Sequence, residues 1–158
     1  MVFVGGCLGD CARSSEDYFA FCNSTFRAEV CVSYGTREVR AEIGRAVGEG
    51  GEEVFVRYLS PDALADVCVR RDGAGRAVVT PADGTLAYEA DAAALSGLLS
   101  PAEALLSCSH SVRSVRRESG EVILALEDGA TLVLDGADYT PRRITTPDGV
   151  SVTVVWWE

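Results

Sequence analysis

The sequence is poor in basic residues and has no apolar run long enough to span a membrane. Its 158 residues carry 14 Lys and Arg against 24 Asp and Glu, a formal net charge of -10 at pH 7. Such a surface repels a phosphate backbone, which argues against nucleic acid as a partner. It also argues against binding to an anionic membrane through a basic face, so any membrane attachment must be covalent or made through a partner.

The sequence also lacks the motifs of common catalytic sites. It contains no GxSxG elbow, P-loop, GxGxxG turn or HExxH pair. The one histidine, His110, falls at a predicted helix-to-strand junction, where an exposed or capping role is expected. Most of the carboxylates fall at turns or on the polar faces of predicted strands. We therefore expect no catalytic residues and a protein that is not an enzyme.

Six cysteines are present, at positions 7, 11, 22, 31, 68 and 108. This number is high for a cytosolic domain of this size and indicates export. None of the spacings is CxxC, so the sequence contains neither a CxxC redox pair nor a zinc knuckle. Cys108 lies two residues before His110, but no spacing rule supplies further ligands. We expect neither a metal nor a cofactor.

The N-terminal segment Val4-Gly5-Gly6-Cys7 resembles the lipobox of bacterial lipoproteins, in which the cysteine becomes lipidated. The resemblance implies a lipid anchor at Cys7, with residues 1–13 as lipobox and tether and 14–158 as a single domain. Only three residues precede the box, whereas a signal peptide needs an apolar stretch of about 7–15 residues. An upstream start, a trimmed chain and a chance match all remain open. With Cys7 lipidated, the remaining five cysteines leave at least one thiol free or paired between chains.

Apolar and polar residues alternate in several short segments, which indicates strands with one buried face. Turn sequences such as Asp128-Gly129 separate these segments. The apolar alternations fall, in chain order, at 26–34, 39–43, 54–58, 67–69, 77–80, 85–89, 112–115, 122–126, 132–134 and 150–157. The pattern predicts about six antiparallel strands, then helices, then about five more strands.

Two regions have helical signals instead. Residues 14–17 are typical of a cap and acidic first turn, which predicts an N-terminal helix. Between Asp91 and Cys108 the chain is rich in Ala and Leu, and Ser100-Pro101 is typical of a helix start, which predicts two short helices. We expect a mainly β (α+β) fold, a curved antiparallel sheet with a central helical lid. Two separate sheets in a sandwich are the alternative.

This order of elements resembles the LolA/LolB-like family of lipoprotein carriers, in particular its Gram-positive cell-surface or spore-germination relatives. The residues that carry the resemblance are the strand-then-proline step at 58–64, the segment Leu98-Leu99-Ser100-Pro101 and the final hairpins at 132–144. The resemblance implies an incomplete β-barrel whose apolar interior receives acyl chains. The extra cysteines depart from the family pattern.

On this resemblance, ten apolar side chains would line an acyl-sized cavity. These are Val30, Val39, Val54, Val56, Val67, Leu98, Leu99, Leu105, Leu124 and Val154. The alternative is that they form a closed core. We expect a lipid-anchored monomer on the outer face of the cytoplasmic membrane, which binds a lipid or acyl chain. A filled core would instead indicate an envelope lipoprotein that binds a protein partner, for example in spore germination or envelope assembly.

Overall fold

A computed structural model describes residues 15–158, and within this range eleven strands form one antiparallel sheet. The strands are β1 (Phe26–Tyr34), β2 (Arg37–Gly48), β3 (Gly51–Ser60), β4 (Cys68–Asp72), β5 (Arg76–Thr80), β6 (Tyr88–Asp91), β7 (Val112–Glu118), β8 (Glu121–Leu126), β9 (Thr131–Asp135), β10 (Pro141–Thr145) and β11 (Ser151–Trp157). The helices are α1 (Ser15–Tyr18) and α2 (Ser96–Leu106), and 3₁₀ turns lie at Ala20–Asn23 and Ala92–Leu95.

The first and last strands of the chain lie side by side in the middle of the sheet. Strand β1 pairs with β11, and the order across the sheet is β6-β5-β4-β3-β2-β1-β11-β10-β9-β8-β7. The edge strands β6 and β7 do not pair with each other, so the barrel is incomplete. The predicted fold class is confirmed, with six strands before the helices and five after them. The alternative of two separate sheets is wrong.

One face of this sheet is apolar because the residues alternate with period two. In β1, Phe26, Ala28, Val30 and Val32 are buried while the residues between them are more exposed. Directly paired residues lie on the same face of a sheet. Val30 faces Ala41 of β2 on one side and Val154 of β11 on the other. The apolar positions of neighbouring strands therefore merge into one continuous inner face.

The central helical region differs from the prediction. Ser100 does not begin a second helix, because α2 runs through Pro101. A proline inside a helix cannot donate a hydrogen bond to the carbonyl four residues earlier, and its ring clashes with that carbonyl. Here that residue is Gly97, and the Ser100 hydroxyl donates to the Gly97 carbonyl at 3.0 Å. The helical region begins where it was predicted, directly after Asp91, whose carboxylate accepts from the Ala93 amide at 2.8 Å.

The N-terminal helix ends earlier than expected, since α1 ends at Tyr18 and a 3₁₀ turn follows it over Ala20–Asn23. Aromatic side chains hold this segment on the inner face. Phe21 meets the Trp157 ring edge-on with centroids 6.0 Å apart, and Phe26 stacks on Trp157 with centroids 4.2 Å apart. We call residues 15–23 the N-terminal segment. It covers the sheet near β11.

On the outer face, one acidic side chain is nearly enclosed by arginines. Glu42 of β2 is 5% exposed and forms ion pairs with Arg27 of β1 and Arg57 of β3. The hydrogen bond from Arg27 is the main reason that the pKa of Glu42 lies below its usual value, and Arg57 adds to the effect against the opposing effect of burial. The ionised carboxylate thus links three neighbouring strands.

We expect Glu42→Gln to lower the free energy of unfolding at pH 7 by about 1–2 kcal/mol, because charge-assisted hydrogen bonds are lost. A carboxyl group with a lowered folded-state pKa stabilises the fold above its unfolded pKa and loses this effect as the pH falls through the folded pKa. The difference from wild type should therefore disappear in acid. Denaturant unfolding at pH 7 and pH 3 measures it.

Glu53→Gln is the matched control, since the Glu53–Arg70 pair is about half exposed and should contribute little. A Glu42→Gln penalty that stays the same at both pH values would contradict this explanation.

Candidate functional site

The candidate site is the inner, concave face of the sheet. All ten residues predicted to line it belong to one hydrophobic cluster. Six have no exposed surface, namely Val30, Val54, Val56, Leu99, Leu105 and Leu124. The remaining four are partly buried against them, namely Val39, Val67, Leu98 and Val154. The structure thus brings together residues that lie as far apart in sequence as β1 and β11.

Helix α2 lies against this face, over β2, β3 and β11. Leu99, Ala102 and Leu105 recur at every third position and are fully buried, so one side of the helix packs into the concavity. Because Leu105, Val56 and Leu124 have no exposed surface, no water-sized space touches them in this arrangement. An apolar ligand can occupy this place only if part of its cover, α2 or the N-terminal segment, moves.

Three polar contacts hold α2 at the sheet, and sequence reasoning missed all of them. The Tyr58 hydroxyl donates to the Leu98 carbonyl at 2.8 Å. The hydroxyls of Tyr34 and Ser100 lie 2.7 Å apart. Arg71 of β4 forms an ion pair of 3.1 Å with Glu103. Burial is the main cause that raises the pKa of Tyr58, which keeps its hydroxyl a proton donor.

The position of Arg71 in the strand pattern indicates that this residue needs a partner. It follows Val69 by two positions and pairs with Val54, so it lies on the inner face. A charged residue at an apolar position of the alternation needs a partner when it is partly buried. The partner, Glu103, lies on a separate helix, and no local pattern connects the two positions.

A second group of side chains lies where α2 ends. The sulfur atoms of Cys22 and Cys108 and a ring nitrogen of His110 all lie within 4.8 Å of one another. Cys22 is buried, Cys108 is partly buried and His110 is exposed. Of the two cysteines, only Cys108 lies close to His110 in the sequence. Cys22 is the residue that sequence reasoning missed, because it comes from the N-terminal segment. These three side chains could hold a metal ion.

The outer face carries a cleft of about 360 Å³. Its lining consists of Arg27, Glu42, Phe55, Arg57, Cys68 and Arg70. Arg27 and Arg57 are already engaged by Glu42. This cleft lies on the outer face, separate from the apolar concavity, and four of its six lining side chains are charged.

Two further predictions concern the membrane and the N-terminus. Cys7 and the tether at 1–13 lie outside the described residues, so the lipid anchor stays a prediction. Between residues 15 and 158, no helix combines the length and the apolar character that a membrane crossing requires.

Known structures share the fold of this chain. An uncharacterized conserved protein from Thermus thermophilus is 12% identical with a TM-score of 0.57, over 91% of this chain and 84% of that one. MucB is 17% identical with a TM-score of 0.53, over 91% of this chain and 58% of MucB. Structures of MucB with MucA have also been determined, one of them for the Pseudomonas aeruginosa proteins. This chain therefore corresponds to little more than half of MucB.

A LolA superfamily protein from Nitrosomonas europaea is 8% identical with a TM-score of 0.42, over 93% of this chain and 94% of that one. No protein-family model and no curated protein matches the sequence. MucB and the Thermus thermophilus protein share the fold of this chain, and the resemblance to the LolA/LolB-like family stays a prediction. The closer link to Gram-positive cell-surface or spore-germination lipoproteins stays a prediction.

The packing of α2 makes a testable prediction about stability. We expect Leu99→Ala to lower the free energy of unfolding by about 2–5 kcal/mol, because it leaves a cavity between the helix and the sheet. Leu98→Ala, on the same helix, should have a clearly smaller effect because its side chain is already partly in water. Denaturant unfolding of both variants measures this, and equal losses would show that α2 is not seated on the face that bears Leu99.

Proposed function

We propose that this chain is a non-enzymatic lipoprotein of the bacterial envelope that binds a lipid acyl chain on its concave face. The observation that carries the proposal is that, among residues 15–158, one helix and a short N-terminal segment cover a continuous apolar face, and no second sheet does. Such a cover can be displaced while the strand pairing stays intact.

The energetics support an exchange of α2 for a ligand. Moving α2 away exposes Leu99 and Leu105, each worth about 1.5–3 kcal/mol of burial. An acyl chain recovers about 0.8 kcal/mol for every methylene that it buries. A chain of ordinary membrane-lipid length can therefore compensate for the lost helix contacts. Three polar contacts set a further part of the opening free energy.

The surroundings of His110 fit a non-catalytic role. Its ring is exposed and stacks on Phe19 with centroids 4.6 Å apart. It lies at the end of α2, beside Cys108. The inner face is lined by the apolar cluster instead, so its chemistry is that of a binding surface.

Binding of a protein partner is the second candidate. The filled inner face favours it, since nothing needs to enter a closed core. Val155 and Trp156 of β11 are 53% and 37% exposed and present apolar surface near the end of that strand. MucB, which has the same fold, forms a complex with MucA. Under this proposal the partner is another envelope protein.

A variant without the hydrogen bond from Tyr58 distinguishes lipid binding from protein binding. We expect Tyr58→Phe to bind a fluorescent fatty acid about 2–10-fold more tightly than wild type, because loss of a hydrogen bond worth about 0.5–1.5 kcal/mol makes opening easier. Tyr88→Phe, at an exposed tyrosine of β6, is the control and should bind like wild type. Absence of fatty-acid binding by wild type and by Tyr58→Phe would contradict the lipid proposal and leave protein binding.

The anchor has its own test. When the gene is expressed with its natural upstream sequence in a bacterial host, radioactive palmitate should label the wild-type protein and the Cys11→Ala variant. Cys7→Ala should lose the label, because the thiol of Cys7 is the proposed acceptor of the lipid. Equal labelling of wild type and Cys7→Ala would show that the anchor is wrong.

A further inference from the structure

The cluster of Cys22, Cys108 and His110 lies at the junction of the two segments that cover the concave face. Cys22 belongs to the 3₁₀ turn of the N-terminal segment, and Cys108 follows the end of α2 by two residues. Both thiols point at one acceptor, the Leu105 carbonyl, at 3.8 Å from Cys22 and 3.2 Å from Cys108. Their sulfur atoms lie within 4.8 Å of each other.

We propose that Cys22 and Cys108 form a disulfide bond that ties the N-terminal segment to the end of α2. A disulfide requires the sulfur atoms to approach to about 2.05 Å. The remaining distance is short, and Cys108 lies between a helix end and the start of β7 rather than inside a regular element.

The reaction requires an external disulfide as oxidant, such as oxidised glutathione or a protein thiol oxidase. The Cys108 thiolate attacks one sulfur of that disulfide, whose S–S bond breaks, and one thiolate leaves. Cys22 then attacks the Cys108 sulfur, which expels the second thiolate, and that thiolate takes up the proton of Cys22. Two protein thiols are oxidised by two electrons, and one disulfide is reduced to two thiols.

The surroundings fit these two roles. Cys108 is partly exposed, so an oxidant can reach it, whereas Cys22 is buried behind it. Because the oxidant meets Cys108 first, Cys108 is the first nucleophile and Cys22 the resolving thiol.

A metal site is less well supplied by the same residues. The cluster offers three ligand atoms, whereas structural zinc sites use four. A disulfide needs only the two sulfur atoms. The oxidising location of the protein rests on the proposed function, but the pairing itself can be tested with the purified protein alone.

The test is peptide mapping of the full-length purified chain after treatment with oxidised glutathione. Trypsin cleaves after arginine, which places Cys22 in peptide 14–27 and Cys108 in peptide 77–113. We expect these two peptides to be linked, with a mass lower than their sum by two hydrogens. Cys31→Ser should keep the link, whereas Cys22→Ala and Cys108→Ala should lose it.

Two results would overturn the proposal. One is that both thiols remain free, or pair with other cysteines, after oxidation. The other is that reduced wild type retains equimolar Zn²⁺ through gel filtration while Cys22→Ala does not, which would assign the cluster to a metal. Neither result depends on whether the concave face binds lipid.

Stability gives a second measurement. A bond between positions 22 and 108 closes a long loop, so it should stabilise the fold mainly by restricting the unfolded chain. We expect the melting temperature of oxidised wild type to exceed that of the reduced protein by about 5–15 °C. The Cys22→Ala variant should show no such difference, and a wild-type protein that melts at the same temperature in both states would contradict the bond.

Discussion

Burial of the apolar inner face is the constraint on which the rest of the structure depends. A single curved sheet has only one layer, and a layer with an exposed apolar face needs a second one. Here α2 and the N-terminal segment supply that layer, and Leu99, Leu105 and Phe19 become buried in the process. The outer face stays in water and carries ion pairs such as Arg27–Glu42–Arg57.

Much of this arrangement could be predicted from local pattern. The alternation at Phe26, Ala28, Val30 and Val32 determines which face of β1 is buried, and the same rule applies to the other strands. The contacts that depend on distant partners could not be predicted. Helix α2 continues through Pro101 because Gly97 and Ser100 accommodate it, and Cys22 meets Cys108 only through the folded chain. Residues that must find partners across the fold leave little trace in local sequence.

Helix α2 is attached in two different ways along its length. Near its middle, α2 is held by hydrogen bonds and an ion pair that water can replace, such as Tyr58 with the Leu98 carbonyl. At its end it meets the N-terminal segment through the two thiols. With the proposed bond between Cys22 and Cys108 formed, α2 can lose its polar contacts with the sheet while its end stays attached to the N-terminal segment. This division is what makes the concave face a candidate binding site as well as a core.

Native-state hydrogen exchange tests the central claim, that α2 opens independently of the sheet. The amides of residues 96–106 should exchange through an opening whose free energy is lower, and whose dependence on denaturant is weaker, than those of β1 and β2. Exchange of α2 with the same free energy and the same denaturant dependence as β1 and β2 would contradict the claim, because it would make the helix part of one cooperative core.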